Sequence, residues 1–162
     1  MPRPMCFKTL DIVREHLLRE LEGLLHDQLL EIPDGRDDNV LWNVGHLLCS
    51  LSRLTYGRTG HPLPIPKRYL ELMGKNTKAT DWPEPPDADT VLAQFIALPG
   101  EIETDYAAGK FAAYEPLQIT PAHTIDSLEE AINFHCFHEG LHVGMIITLK
   151  QRLSFVARAA RP

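Results

Sequence analysis

The sequence predicts an all-α fold: a four-helix bundle with one long crossover between its second and third helices. Four segments repeat apolar residues at three-and-four spacing, the period of a helix that buries one face. A proline-rich stretch of about 30 residues separates the second from the third, where compact domains typically use roughly 4–6. Laying two successive helices parallel requires such a connection. At 162 residues the chain fits a single domain, residues 1–162, large enough to bury a core without cross-links.

The first predicted helix runs from Cys6 to Leu30, with Leu10, Val13, Leu17, Leu21, Leu24 and Leu25 on one face. Asp11, Arg14, Glu15 and Arg19 fall on the other side, and Ile32-Pro33-Asp34-Gly35 stops it. The second begins near Asp37-Asp38-Asn39, residues suited to capping a helix start, and continues through Val40 to Tyr56 before Gly57. Its apolar residues reach most of the way round, which predicts burial on more than one side. From Arg58 to Asp87, Pro62, Pro64, Pro66, Pro83, Pro85 and Pro86 forbid a continuous helix, while Lys67 to Gly74 fits a short one. The third helix is expected from Asp87 or Ala88 to Ala108, kinked or broken at Pro99-Gly100. Residues 109–123 read as loop or short extended structure. The fourth helix starts between Thr124 and Ser127 and runs to Phe155, and Ser127 with Glu130 matches a capping box.

Composition narrows the function. A formal net charge of -6, with the 16 Lys and Arg scattered, disfavours nucleic acid, whose binders carry a basic footprint. No stretch is apolar enough to span a membrane, and the N-terminal residues lack the apolar core of a secretory signal. The three cysteines, Cys6, Cys49 and Cys136, form no CxxC spacing, which points to a reducing, cytoplasmic setting.

The chemistry gathers on the histidines. His138 and His142 lie four apart in the fourth helix, so their imidazoles project from one face and converge on one ion. They share the stripe of Leu128, Ala131, Met145 and Leu149, which a bundle buries. The alternative is a pair of core histidines hydrogen-bonded to backbone or carboxylate, but two adjacent buried imidazoles without a shared partner cost roughly 1–3 kcal/mol each. The segment His138-Glu139-Gly140-Leu141-His142 also matches H-E-x-x-H, the zinc metalloprotease signature. That reading fails on its third ligand: the metzincin position is Thr148, and no Asp, Glu or His follows His142. The third ligand must come from upstream. His46, flanked by apolar residues in the second helix, is the best candidate, and Gly45 beside it admits a close neighbour. Three imidazoles leave coordination positions open, as catalytic sites do and closed structural sites do not.

His135, Cys49 and Glu139 rank behind these. His135, one turn before His138, fits a pocket or outer-shell role as well as ligation. Cys49 fits a sulfur ligand or, more commonly, a small apolar core residue. Glu139 fits a group orienting an imidazole, a base or a solvated carboxylate. His16, His26, His61 and His123 show no spacing logic and are expected at the surface.

Two motifs, Asn43-Val44-Gly45-His46 and His138-Glu139-Gly140-Leu141-His142-Val143-Gly144, together resemble the DinB-like superfamily of metal-dependent enzymes. The resemblance covers nearly the whole chain. It implies a four-helix bundle with a long crossover, a homodimer, and nickel, zinc or iron held by the three histidines His46, His138 and His142. It also implies a small-molecule substrate, with transfer of a low-molecular-weight thiol or hydrolysis as the reaction. One departure is Met145, where the family often has glutamine. A non-catalytic metal-binding bundle, with Cys49, His135 or Glu139 completing the coordination, and a metal-free apolar interaction module are the competing readings.

Overall fold

The computed structural model describes residues 3–159, and side chains as far as Leu153. The chain is mostly helical, with one small two-stranded sheet. Helix α1 (Met5–Leu21) is followed by a single-turn α2 (His26–Leu30). The predicted first helix is therefore interrupted. Gly23 adopts φ +77, a left-handed conformation that glycine takes without a Cβ penalty and that ends a helix. Leu25, expected on the buried face, is exposed as a result.

Helix α3 (Val40–Thr55) starts where the sequence placed it: the Asn39 side chain accepts a hydrogen bond from the Trp42 amide. Val40, Leu41, Val44, Leu47 and Leu51 are wholly buried. The proline-rich connection contains α4 (Lys67–Met73), which packs on α3. Gly45 makes that approach possible, since a Cβ there would lie 1.9 Å from Met73 Sδ.

Helix α5 (Ala88–Ala107) runs unbroken through Pro99. Proline has no N–H, so the carbonyl of Phe95, four residues earlier, loses its helical donor. The Arg14 guanidinium of α1 donates to that carbonyl instead and lies over the Phe95 ring, 3.4 Å from its centroid. Arg14 was expected on the polar side of its helix, yet it is buried. It sits between Leu10 and Leu17 on the stripe facing the core.

Within residues 109–123 both expected forms occur, loop and short extended structure. Strands β1 (Leu117–Thr120) and β2 (His123–Ile125) pair antiparallel and take Thr124 and Ile125 out of the predicted fourth helix. Helix α6 (Leu128–Ala159) then begins after Ser127, whose hydroxyl accepts from the Glu130 amide, while the Glu130 carboxylate accepts from the Asp126 amide. Helix α6 packs against both α1 and α3, α3 packs against α5, and α1 touches α5. No helix among the described residues is long and apolar enough to cross a membrane.

Candidate metal centre

The α3–α6 contact brings His46, His138 and His142 together, with one ring nitrogen from each lying within 4.8 Å of the others. His142 is buried and the other two are half-buried, so the cluster is partly exposed to solvent. Among the described residues no other His, Cys, Asp or Glu joins this group.

Each imidazole uses its Nδ1 elsewhere. His46 Nδ1 lies 3.0 Å from the Met73 carbonyl, an acceptor only, so this nitrogen carries the proton and Nε2 is bare. His142 Nδ1 lies 2.7 Å from Asn43 Oδ1, and His138 Nδ1 lies 3.3 Å from the Ser50 hydroxyl. The Nε2 atoms of His138 and His142 face each other at 3.1 Å. Two nitrogens bound to one ion at about 2.1 Å stand roughly 3.0–3.4 Å apart, so the donor set and its spacing fit a divalent cation. Trp42 stacks on His46 at 4.9 Å between ring centroids and donates its indole N–H to Thr77 Oγ1, which fixes the plane of that imidazole.

Burial, then the neighbouring imidazoles of His135 and His46, pushes His138 down to about 4. Burial, then His138 and His46, pushes His142 down to about 3, and burial lowers His46 in the same direction. All three rings are therefore neutral at neutral pH, the protonation state a metal ligand needs.

The other candidates fall outside the cluster. Cys49 is buried, and burial pushes its thiol up to about 12, so it behaves as a small apolar core residue. Glu139 is not solvated. It is wholly buried and receives two bonds from Arg14, at 2.8 and 3.1 Å. Burial works to raise its carboxyl, but the nearby His135 imidazole and the Arg14 charge outweigh that and hold it below the usual range. His135 is also wholly buried, with Nε2 3.3 Å from Glu139 Oε2, though too poorly aligned for a hydrogen bond. Its ring meets that of His138 edge-on at 5.9 Å. His16, His26 and His123 are exposed as expected. His61 is half-buried, with Nε2 3.0 Å from the Lys110 carbonyl.

Sequence reasoning gave no role to Ser50 or to the Met73 carbonyl. Ser50 had a signal, since it follows His46 by one turn on the same helix face. The Met73 contact had none, because it depends on where α4 docks.

Fold and cluster together define an all-α protein with a three-histidine site compatible with metal binding. A family model described as the DinB superfamily matches residues 9–146, and the chain belongs to that superfamily. The search of curated proteins found no match.

Proposed function

We propose that this protein is a metal-dependent enzyme in which His46, His138 and His142 hold one divalent ion, zinc, nickel or iron. The observation that carries this reading is the convergence of three imidazoles, each with its Nδ1 engaged, in a partly exposed cluster. The bound ion supplies Lewis-acid activation of a low-molecular-weight thiol or of water as nucleophile. The chain's own residues do the positioning. Met73, Asn43 and Ser50 aim the three rings, Trp42 fixes the plane of His46, and the buried side of α6 keeps water from the rear of the cluster. Thiol transfer is the leading reaction and hydrolysis the alternative.

The fold belongs to the same reading. The mutual packing of α1, α3, α5 and α6 supports a four-helix bundle, and the segment between α3 and α5 supports its long crossover.

The test is metal analysis of protein purified without a histidine tag, for the native chain and for His142→Ala. The expected result is one ion per native chain and a large loss in the variant. Substoichiometric metal in the native chain after metal-supplemented refolding would falsify the reading. Conjugation assays with low-molecular-weight thiols and electrophiles then separate transfer from hydrolysis.

A further inference from the structure

Three different oxygens face the Nδ1 atoms of the cluster, and one of them is held by a chain of its own. Asn43 is wholly buried on α3. Its Nδ2 donates to two acceptors at once, Asp38 Oδ2 at 2.8 Å and the Asn39 carbonyl at 2.8 Å. Both are oxygens without a proton to give, so the amide has one orientation only, and Oδ1 must face His142. Asp38 is buried in turn and takes two parallel bonds from Arg36, at 2.7 and 2.8 Å. These three residues lie at the start of α3, and none of them touches the other two histidines through a hydrogen bond.

We propose that Arg36, Asp38 and Asn43 form a tautomer lock, which keeps the proton of His142 on Nδ1 and its Nε2 lone pair aimed into the cluster before any ion arrives. The proposal rests on the metal-site reading above and deepens it: Asp38 and Arg36 become positioning residues for ligation although neither approaches the ion. The neighbouring imidazoles supply the contrast. His46 faces a backbone carbonyl, which fixes its tautomer without help. His138 faces a serine hydroxyl, which can donate or accept and therefore fixes nothing. In the metal-free protein the lock settles His138 as well: with Nε2 of His142 bare, the 3.1 Å contact requires Nε2 of His138 to donate. Ser50 then donates to His138 Nδ1. Ligation through Nε2 would require the His138 proton on Nδ1, with Ser50 then the acceptor.

Replacing Asp38 by asparagine shows what the carboxylate does. Arg36 demands an oxygen, so the new amide turns its nitrogen toward Asn43. Asn43 is then pulled two ways: the Asn39 carbonyl still holds its nitrogen while the new amide draws its Oδ1, so a fraction of the chains presents nitrogen to His142, which moves that proton to Nε2 and blocks the ligand. The test is long-range 15N NMR of the histidines in the metal-free native chain, Asp38→Asn and Asn43→Leu, with a Zn(II) competition titration of each. In the native chain His142 is expected as the Nδ1–H form. In both variants the Nε2–H form should appear, Zn(II) affinity should fall about 10–100-fold, and His46 should remain Nδ1–H as the internal control. An Nε2–H His142 in the native chain would overturn the lock, and so would both variants retaining the native tautomer and affinity. A native chain that binds no Zn(II) ends the metal-site reading alone, because the tautomer spectra decide the lock without metal.

Discussion

Two adjacent residues of α6 serve two different clusters. His138 faces α3 and turns a nitrogen toward His46 and His142 in a half-exposed group. Glu139, about 100° further round the helix, faces α1 and is closed over by Arg14 and His135 with no exposure at all. In the first cluster every imidazole is neutral, and the Nε2 atoms of His138 and His142 meet each other. In the second, opposite charges meet and saturate each other. The H-E-x-x-H spacing is thereby divided between two tasks, since its histidines converge while its glutamate bridges helices. A carboxylate held by two guanidinium bonds is not poised to take a proton from a nucleophile, the role that the H-E-x-x-H signature gives its glutamate.

The largest effect expected from breaking this contrast is Arg14→Leu. The variant leaves Glu139 charged and buried without a counter-ion, and it strands the Phe95 carbonyl that Pro99 already deprives of a donor. Removing one partner of a buried pair costs about 3–5 kcal/mol. Urea denaturation should show a loss of that size, while the folded fraction still binds metal. A loss under about 1 kcal/mol would mean that α6 does not depend on the ion pair.

Glu139→Gln sharpens the comparison. The amide oxygen still accepts from Arg14, so the expected cost is smaller, about 1–3 kcal/mol. Metal affinity should stay within a few-fold of the native value. Activity falling a hundredfold at unchanged stability would instead make Glu139 a base and join the two clusters into one site.

Sequence alone gave unequal access to these clusters. His138 and His142 were legible because four-residue spacing on one helix fixes their geometry without tertiary information. His46 required expected burial, the failure of any downstream ligand and the family resemblance carried by Asn43-Val44-Gly45-His46. The second cluster was misread at Arg14. The charge assigned it to the polar side, although its spacing from Leu10 and Leu17 places it on the buried stripe. A charged residue on an apolar stripe is interpretable only once its partner is known, and Glu139 lies 125 residues away. The long helices were legible for the same local reason as the histidine pair. The break at Gly23 was not, because a leucine-rich continuation fits helix as well as turn, and the segment 109–123 was legible only as loop or short extended structure, without its pairing.

Gly45→Ala probes the histidine side with a smaller effect. Its Cβ would overlap Met73 Sδ, and Met73 also supplies the carbonyl that orients His46. Methionine yields more readily than a branched side chain, so the stability loss should be near the low end for overpacking, about 1 kcal/mol. The informative readout is Zn(II) affinity, expected to drop with α4 displaced. An unchanged affinity would show that the Met73 carbonyl is dispensable to His46.

The smallest effect belongs to Pro99→Ala. A proline inside a helix ordinarily costs about 3 kcal/mol, partly through the carbonyl it leaves unpaired four residues earlier. Here Arg14 already serves that carbonyl, so restoring an N–H at position 99 should add less than about 1 kcal/mol. The same substitution in the Arg14→Leu background should add more, because the new N–H then provides the Phe95 carbonyl with its only donor. A double-mutant cycle reads the difference directly, and about 1 kcal/mol of coupling is expected for two donors sharing one acceptor. Equal gains in both backgrounds would mean that the Arg14 bond to Phe95 contributes nothing to stability. In that case the guanidinium's role would reduce to neutralising Glu139, and the continuity of α5 through its proline would need another cause.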